Sequence, residues 1–201
     1  MKKLVYLISP NKIDQNFFAS LDKVLSFKNV KFFQLRLKNL SQKKLLNFSK
    51  RILKITTKHK VKFIINDNFI LASKIKVDGC HMGQLDGSFK IARKKLKGKI
   101  LGITCHNSKI LAINAIENKA DYIAFGSFYK SELKQNAKRA NIDILKWAKS
   151  NIKKPIIAIG GINNHNYKKL IKAEPSSLNR KHSEGTCLPG QIWRGSDRTK
   201  L

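Results

Sequence analysis

The 201-residue sequence predicts an α/β protein, a (β/α)8 barrel in which the eighth strand–helix unit is missing or replaced. Three observations lead there. Seven short runs of β-branched and aromatic residues alternate with seven longer segments of helical spacing, in units of roughly 20 to 30 residues, the pattern of a parallel sheet. Runs such as FII (63–65) and IIAI (156–159) are apolar at every position, as in strands covered on both faces. No GxGxxG fingerprint follows the first run, which removes the main argument for a doubly wound nucleotide-binding sheet.

The strands are expected at 4–8, 30–35, 61–66, 77–82, 99–104, 121–126 and 155–161. LVYLI (4–8) follows a basic start, but its apolar run is too short for a signal peptide and reads as a strand. Helical stripes follow at 14–26, 68–75, 88–96, 107–119, 141–150 and 164–173. In the second helix, Leu45, Leu46, Ser49, Ile52, Leu53 and Thr56 fall on one face with lysines opposite. Ser41, Asn107, Asn141 and Asn163 stand where N-caps are expected, because their short polar side chains can accept from the first free helix N–H groups. No apolar run approaches the roughly 18 residues that would indicate a membrane span.

Composition narrows the function. With 42 Lys+Arg against 12 Asp+Glu the formal net charge is +30. Yet 35 of the cations are Lys and only 7 are Arg, and they are scattered along the chain without interleaved aromatics. Such a distribution reads as a solvated basic surface with affinity for anionic small molecules, not as a specific nucleic-acid interface. Cys80, Cys105 and Cys187 are too far apart for a zinc site or a disulfide framework, so a reducing cytoplasm is the expected compartment.

Candidate functional residues collect where strands end, the face on which (β/α)8 enzymes place their sites. After strand 2 come Gln34, Arg36 and Lys38, spaced so that all three share one side of an extended segment. Asn66 and Asp67 end strand 3; His81, Gln84 and Asp86 follow in or after strand 4; Thr104 and His106 close strand 5. The loop after strand 6 holds Ser127, Ser131 and Lys134, and strand 7 ends in Gly160-Gly161. Two carboxylates on adjacent strands, without a Cys/His cluster, suit Mg²⁺, which uses few protein ligands and completes its shell with water and phosphate. Arg36, Lys38 and Lys134 suit a diphosphate, and backbone N–H groups after Gly161 suit a second phosphate. Taken singly, Asp67 and Asp86 read equally well as turn or cap residues, Arg36 as the partner of a core carboxylate, and His81 as a buried hydrogen-bonded histidine. Their convergence on one end of one barrel is what favours a site.

The segments FQLRLK (33–38), IINDN (64–68), DGCHMGQLD (78–86), LGITCH (101–106), ADYIAFG (120–126) and PIIAIGGIN (155–163) resemble thiamine-phosphate synthases in order and spacing, over about residues 3–173. The resemblance implies a transferase that joins 4-amino-2-methyl-5-pyrimidinylmethyl diphosphate to a thiazole phosphate, releasing pyrophosphate and giving thiamine phosphate. It further implies that Asp67 and Asp86 ligand Mg²⁺ and that Arg36, Lys38, Asn66 and Lys134 hold the diphosphate. Gln34 and Thr104 would line the pyrimidine side, and Ser131 and Gly161 would contact the thiazole phosphate. The chain departs from the family pattern at Leu37, where members commonly carry Glu, and at Lys130-Ser131, which replaces a Pro-Thr pair. The alternatives are a thiazole tautomerase, whose loop after strand 6 carries a histidine where this chain has Ser127, and an inactive, basic binding barrel.

Beyond Ala173 the composition changes. Residues 174–201 contain three of the seven Arg but only two of the 35 Lys, and they show no β-branched run. The expected organisation is therefore a barrel domain over 1–173 and an atypical tail over 174–201, the product of a frameshift, a truncation or a join to foreign sequence. Loss of strand 8 would leave the edges of strands 1 and 7 unpaired.

Overall fold

The computed structural model describes residues 4–38, 40–130, 139–163, 165–172 and 187–188. Seven strands alternate with seven helices: β1 (Leu4–Ile8), α1 (Phe17–Leu25), β2 (Val30–Leu35), α2 (Gln42–Lys58), β3 (Lys62–Asn66), α3 (Phe69–Lys74) and β4 (Gly79–Met82) come first. They are followed by α4 (Phe89–Leu96), β5 (Ile100–His106), α5 (Lys109–Glu117), β6 (Tyr122–Phe125), α6 (Asp143–Asn151), β7 (Ile156–Ala158) and α7 (Tyr167–Lys172). All the strands are parallel, and each pairs with the next in the chain. This is the sequential order of a (β/α)8 barrel.

The eighth position is filled differently from a full unit. A two-residue strand, β8 (Cys187–Leu188), pairs parallel with β1 through Leu4–Cys187 and Val5–Leu188. It also approaches β7 to within 8 Å between Cα atoms. The exposed β1 edge expected from the sequence is thus partly covered. A two-residue ladder is too short to leave an alternating pattern, which is why no strand was visible in the tail. The rest of the 174–201 segment lies outside the described residues.

Strand alternation divides the core in two. Phe33, Leu35, Phe63, Ile65, Cys80, Met82, Leu101, Ile103, Ile123 and Phe125 point outward into one apolar layer shared with the helices. The other parity fills the barrel, where Tyr6, Tyr122, Ala124 and Ile157 are buried with Leu4, Ile8, Phe32, Ile100 and Ile159 around them. Successive residues of a strand face opposite sides, so each strand serves both layers at once. The helices present matching stripes: Leu45, Ser49, Ile52 and Thr56 are the buried residues of α2. Its two buried hydroxyls are satisfied within the helix, Ser49 Oγ donating to the Leu45 carbonyl and Thr56 Oγ1 to that of Ile52.

The expected cap at Ser41 holds, its Oγ accepting from Lys44 N. Asn141 is corrected: the N-cap of α6 is Ile142, which makes no side-chain cap bond, and Asn141 Oδ1 accepts from Asp143 N from the turn just before it. Asn107 is corrected: Ser108 caps α5 through Leu111 N, while Asn107 Oδ1 accepts from the backbone N–H of Asn141 and ties two loops together. At the barrel end away from the candidate site, two aspartates preceding strands act as staples. Asp78 Oδ2 accepts from Phe63 N and Asp121 Oδ2 from Leu101 N, each fixing the start of the preceding odd-numbered strand.

One inward position demands glycine. A Cβ on Gly102 would stand 1.9 Å from Cζ of Tyr122, so the Tyr122 ring occupies the space a β5 side chain would take. Tyr6 lies edge-on to Tyr122 with centroids 5.7 Å apart and stacks on Phe32 at 5.4 Å, so the ring has nowhere to retreat. Gly102→Ala is expected to destabilise the protein by roughly 3 kcal/mol, the scale of overpacking a close-packed core. A urea midpoint unchanged from wild type would contradict this account of the barrel interior.

Candidate active site

The inward parity that fills the barrel also delivers Gln34, Asn66, His81 and Thr104 to its C-terminal mouth. Gln34 is buried, and its Nε2 donates to Asn66 Oδ1 across the β2–β3 boundary. His81 is buried and lies between Tyr122 and Thr104, with Nδ1 2.8 Å from the Tyr122 hydroxyl and Nε2 2.7 Å from Thr104 Oγ1. The reading of His81 as a hydrogen-bonded core histidine is therefore correct. Gln84 Nε2 donates to the Thr104 carbonyl at 2.5 Å, holding the β4 loop against the end of β5.

Above this layer the two carboxylates meet. Asp67 has φ of +63°, a left-handed conformation at the turn out of β3, while Asn68 and not Asp67 caps α3 by accepting from Leu71 N. Asx residues tolerate this region better than most, so Asp can sit at such a corner. Its carboxyl lies close enough to that of Asp86 for the two to interact electrostatically. Asp86 closes its own turn, Oδ2 accepting from Gly83 N at 2.5 Å. Both aspartates are therefore turn residues and neighbours at the mouth; the two readings left open by the sequence are compatible.

Burial, and then the Asp86 carboxyl, push the pKa of Asp67 up to about 7 from the ordinary 3.8. The Lys38 and Arg36 charges act in the opposite direction and do not overcome it. Burial and a neighbouring acid both disfavour the charged form of Asp67, and a bound cation would relieve that penalty. Arg36 is half-buried and Lys38 exposed beside the pair. Arg36 Nη1 lies 3.4 Å from Asn11 Oδ1, and its backbone N–H donates to Ser9 Oγ. Arg36 is not the partner of a core carboxylate among the described salt bridges.

The far side of the mouth is built on Gly160-Gly161. Gly161 has φ of +64°, and a Cβ there would stand 2.4 Å from the Lys130 carbonyl oxygen, so the loop after β6 rests directly on this glycine. Asn166 clasps the turn, Nδ2 donating to the Gly161 carbonyl and Oδ1 accepting from Asn163 N, while the Tyr129 hydroxyl donates to the Asn166 carbonyl. The N–H groups expected to be open for a phosphate are in part taken, because Asn163 Oδ1 accepts from His165 N and Asn166 N. Ser131 and Lys134 lie outside the described residues.

The structure thus brings Gln34, Arg36, Lys38, Asn66, Asp67, Asp86 and Thr104 to one region. Sequence reasoning missed Ser9, Asn11, Tyr122 and Asn166. Of these only Tyr122 left a signal, a polar-tipped aromatic on the inward parity of β6; the others act through loop geometry.

The raised pKa of Asp67 has a consequence for folding. Between pH 3.8 and about 7 the folded chain holds a proton that the unfolded chain has lost, so stability falls as pH rises through that window. Asp67→Asn removes the titration and keeps a residue suited to positive φ. In the absence of divalent metal, the variant is expected to gain stability over wild type as pH rises from about 5 to about 8. Urea titrations showing a pH-independent difference would refute the burial of an ionisable pair.

Comparison with known proteins agrees with this geometry. The family model described as "Thiamine monophosphate synthase" matches residues 5–177. A thiamine-phosphate synthase of Pelagibacter ubique (strain HTCC1062) is 50% identical over 96% of this chain and 89% of its own length. One of Erythrobacter litoralis (strain HTCC2594) is 36% identical over 98% of this chain and 91% of its own. In architecture, the thiamine phosphate pyrophosphorylase structure from Pyrococcus furiosus superposes with a TM-score of 0.75 at 24% identity, covering 86% of this chain and 82% of that one. The seven-strand barrel, the residues gathered at its mouth and the match along most of its length place the chain in the thiamine monophosphate synthase family.

Proposed function

We propose that the chain is a thiamine-phosphate synthase, transferring the pyrimidinylmethyl group of 4-amino-2-methyl-5-pyrimidinylmethyl diphosphate to a thiazole phosphate with release of pyrophosphate. The observation that carries this reading is the Asp67–Asp86 pair set beside Arg36 and Lys38 at the barrel mouth. A half-buried carboxyl beside a second one, adjacent to two cations, is suited to an anionic substrate that arrives with a divalent ion.

The residues fit Mg²⁺. The pair offers oxygen donors only, and the described residues contain no group of three or more Asp, Glu, His or Cys placed to hold a metal. A site with two carboxylates leaves most of the shell to water and diphosphate oxygens, the usual arrangement for Mg²⁺. When bound, the ion supplies positive charge that stabilises the departing pyrophosphate.

The chain's own groups divide the remaining work. Arg36 and Lys38 neutralise the diphosphate as negative charge accumulates on it, and their fixed placement saves reorganisation at the moment of bond cleavage. Because Asn66 Oδ1 is engaged by Gln34, its Nδ2 is the group left for a phosphate oxygen. Gln34 and Thr104 border the pyrimidine from the barrel side. Lys134 is assigned to the diphosphate and Ser131, with Gly161, to the thiazole phosphate by family resemblance. We assign the activity to the barrel over 1–173 and place it in the cytoplasm. Burial keeps the Cys105 thiol protonated, its pKa raised to about 12, and raises that of Cys80 further, as fits inert thiols in a reducing compartment. Among the described residues no helix is long and apolar enough to cross a membrane.

The tautomerase alternative has less support. At the position where that group carries histidine, Ser127 donates its hydroxyl to the Tyr129 carbonyl at 2.8 Å. Mixing the two substrates with Mg²⁺ is expected to release pyrophosphate, and chelation with EDTA to stop it. Asp86→Ala and Arg36→Ala are each expected to lower kcat by about 10²–10³, the scale for removing a preorganised electrostatic group. Release at an undiminished rate in Asp86→Ala, or no release from wild type, would overturn the reading.

A further inference from the structure

We infer that Tyr122 and His81 form a positioning relay through the barrel interior that turns the Thr104 hydroxyl proton toward the substrate, making Thr104 a hydrogen-bond donor to the pyrimidine ring. The inference extends the proposed function, from which it takes the placement of the pyrimidine beside Thr104.

The relay is a continuous line of polar atoms. The hydroxyls of Tyr6 and Tyr122 are 2.7 Å apart, the Tyr122 hydroxyl is 2.8 Å from His81 Nδ1, and His81 Nε2 is 2.7 Å from Thr104 Oγ1. Tyr6, Tyr122 and His81 are 1%, 3% and 6% exposed, so rearrangement by water is restricted. The His81 and Tyr122 rings stack at 5.5 Å with 17° between their planes, and the missing side chain of Gly102 makes room for Tyr122. At the outer end, Gln84 holds the Thr104 carbonyl.

Chemistry gives the line a direction. A neutral imidazole carries one N–H and one acceptor nitrogen, so the partner of one nitrogen decides the state of the other. A phenol with a pKa near 10 is a far better donor than an aliphatic hydroxyl. Tyr122 therefore donates to Nδ1, the His81 proton resides on Nε2, and Nε2–H donates to Thr104 Oγ1. With that lone pair occupied from below, the Thr104 proton points outward, where a pyrimidine ring nitrogen can accept it. His81 and Tyr122 are positioning residues; neither touches the reacting atoms.

The test uses Tyr122→Phe, which keeps the ring and removes the hydroxyl. Its KM for the pyrimidine diphosphate is expected to rise about tenfold, within the range for one lost hydrogen bond, with the KM for the thiazole phosphate unchanged. In a Thr104→Ala background the same substitution is expected to have no further effect, whereas Thr104→Ser retains the dependence on Tyr122. Additive losses, or equal rises in both KM values, would mean that Tyr122 acts only through packing and would overturn the relay. Nitrogen-15 NMR of His81 supplies an arm independent of turnover. Wild type is expected to show a single Nε2–H tautomer and Tyr122→Phe a mixture; a wild-type Nδ1–H tautomer would overturn the proposed direction. If wild type releases no pyrophosphate, the functional reading fails while the tautomer still decides the relay. Should Tyr122→Phe not fold, Tyr6→Phe removes the next hydroxyl along the line and is expected to give the same signature in weaker form; an unchanged Tyr6→Phe would then count against it.

Discussion

The constraint on which the rest of this structure depends is the two-residue period of a β-strand imposed on seven parallel strands at once. One parity of each strand meets the helices and the other meets the barrel axis, so no residue can change sides without moving its neighbours. Outward positions such as Phe33, Phe63 and Ile103 consequently bind the helices to the sheet. Inward positions carry a graded interior: aromatic and aliphatic around Tyr6, Phe32 and Tyr122, then polar at Gln34, Asn66, His81 and Thr104. The floor of the candidate site is the last layer of the core, and its side chains are held by the packing that holds the barrel.

That arrangement makes the chemistry inexpensive in reorganisation. Asp67 departs from a strand end at a left-handed corner and Asp86 from a closed turn, so both carboxyls are brought together by backbone already fixed on the barrel. The cost is the burial of one acid beside another, visible in the raised pKa of Asp67 despite the nearby charges of Arg36 and Lys38. Tension of this kind is common at functional sites, where a group is kept out of its preferred state until a ligand relieves it. The +30 net charge of the chain plays a smaller part than its size suggests. A few cations stand beside the carboxylate pair, while most lysines are distributed over the surface.

How far the sequence could be read follows from the range of the interactions involved. The seven strands were legible because their apolar runs are local, and observed bounds such as Leu4–Ile8 and Val30–Leu35 match expectation. Arg36 and Lys38 were legible because a spacing of two in an extended segment puts both on one side. Asn107 was misread as a cap because two candidate cap residues stand side by side, and only loop packing against Asn141 separates Asn107 from Ser108. β8 was missed because a two-residue ladder leaves no pattern. Asn166 was missed because its role depends on the path of the turn after Gly161.

By itself the sequence determined the alternation of strand and helix, the face on which polar residues accumulate, and the kind of chemistry that two carboxylates and several cations permit. Periodicity and residue type set all of these within short windows of chain. Only the tertiary structure decided that Asp67 is buried beside Asp86, that Gly102 yields its space to Tyr122, and that His81 joins Tyr122 to Thr104. Those relations link residues from 19 to 41 positions apart along the chain. Distances of a few ångströms between different strands are set by barrel closure and packing, for which no local pattern in the sequence carries a record.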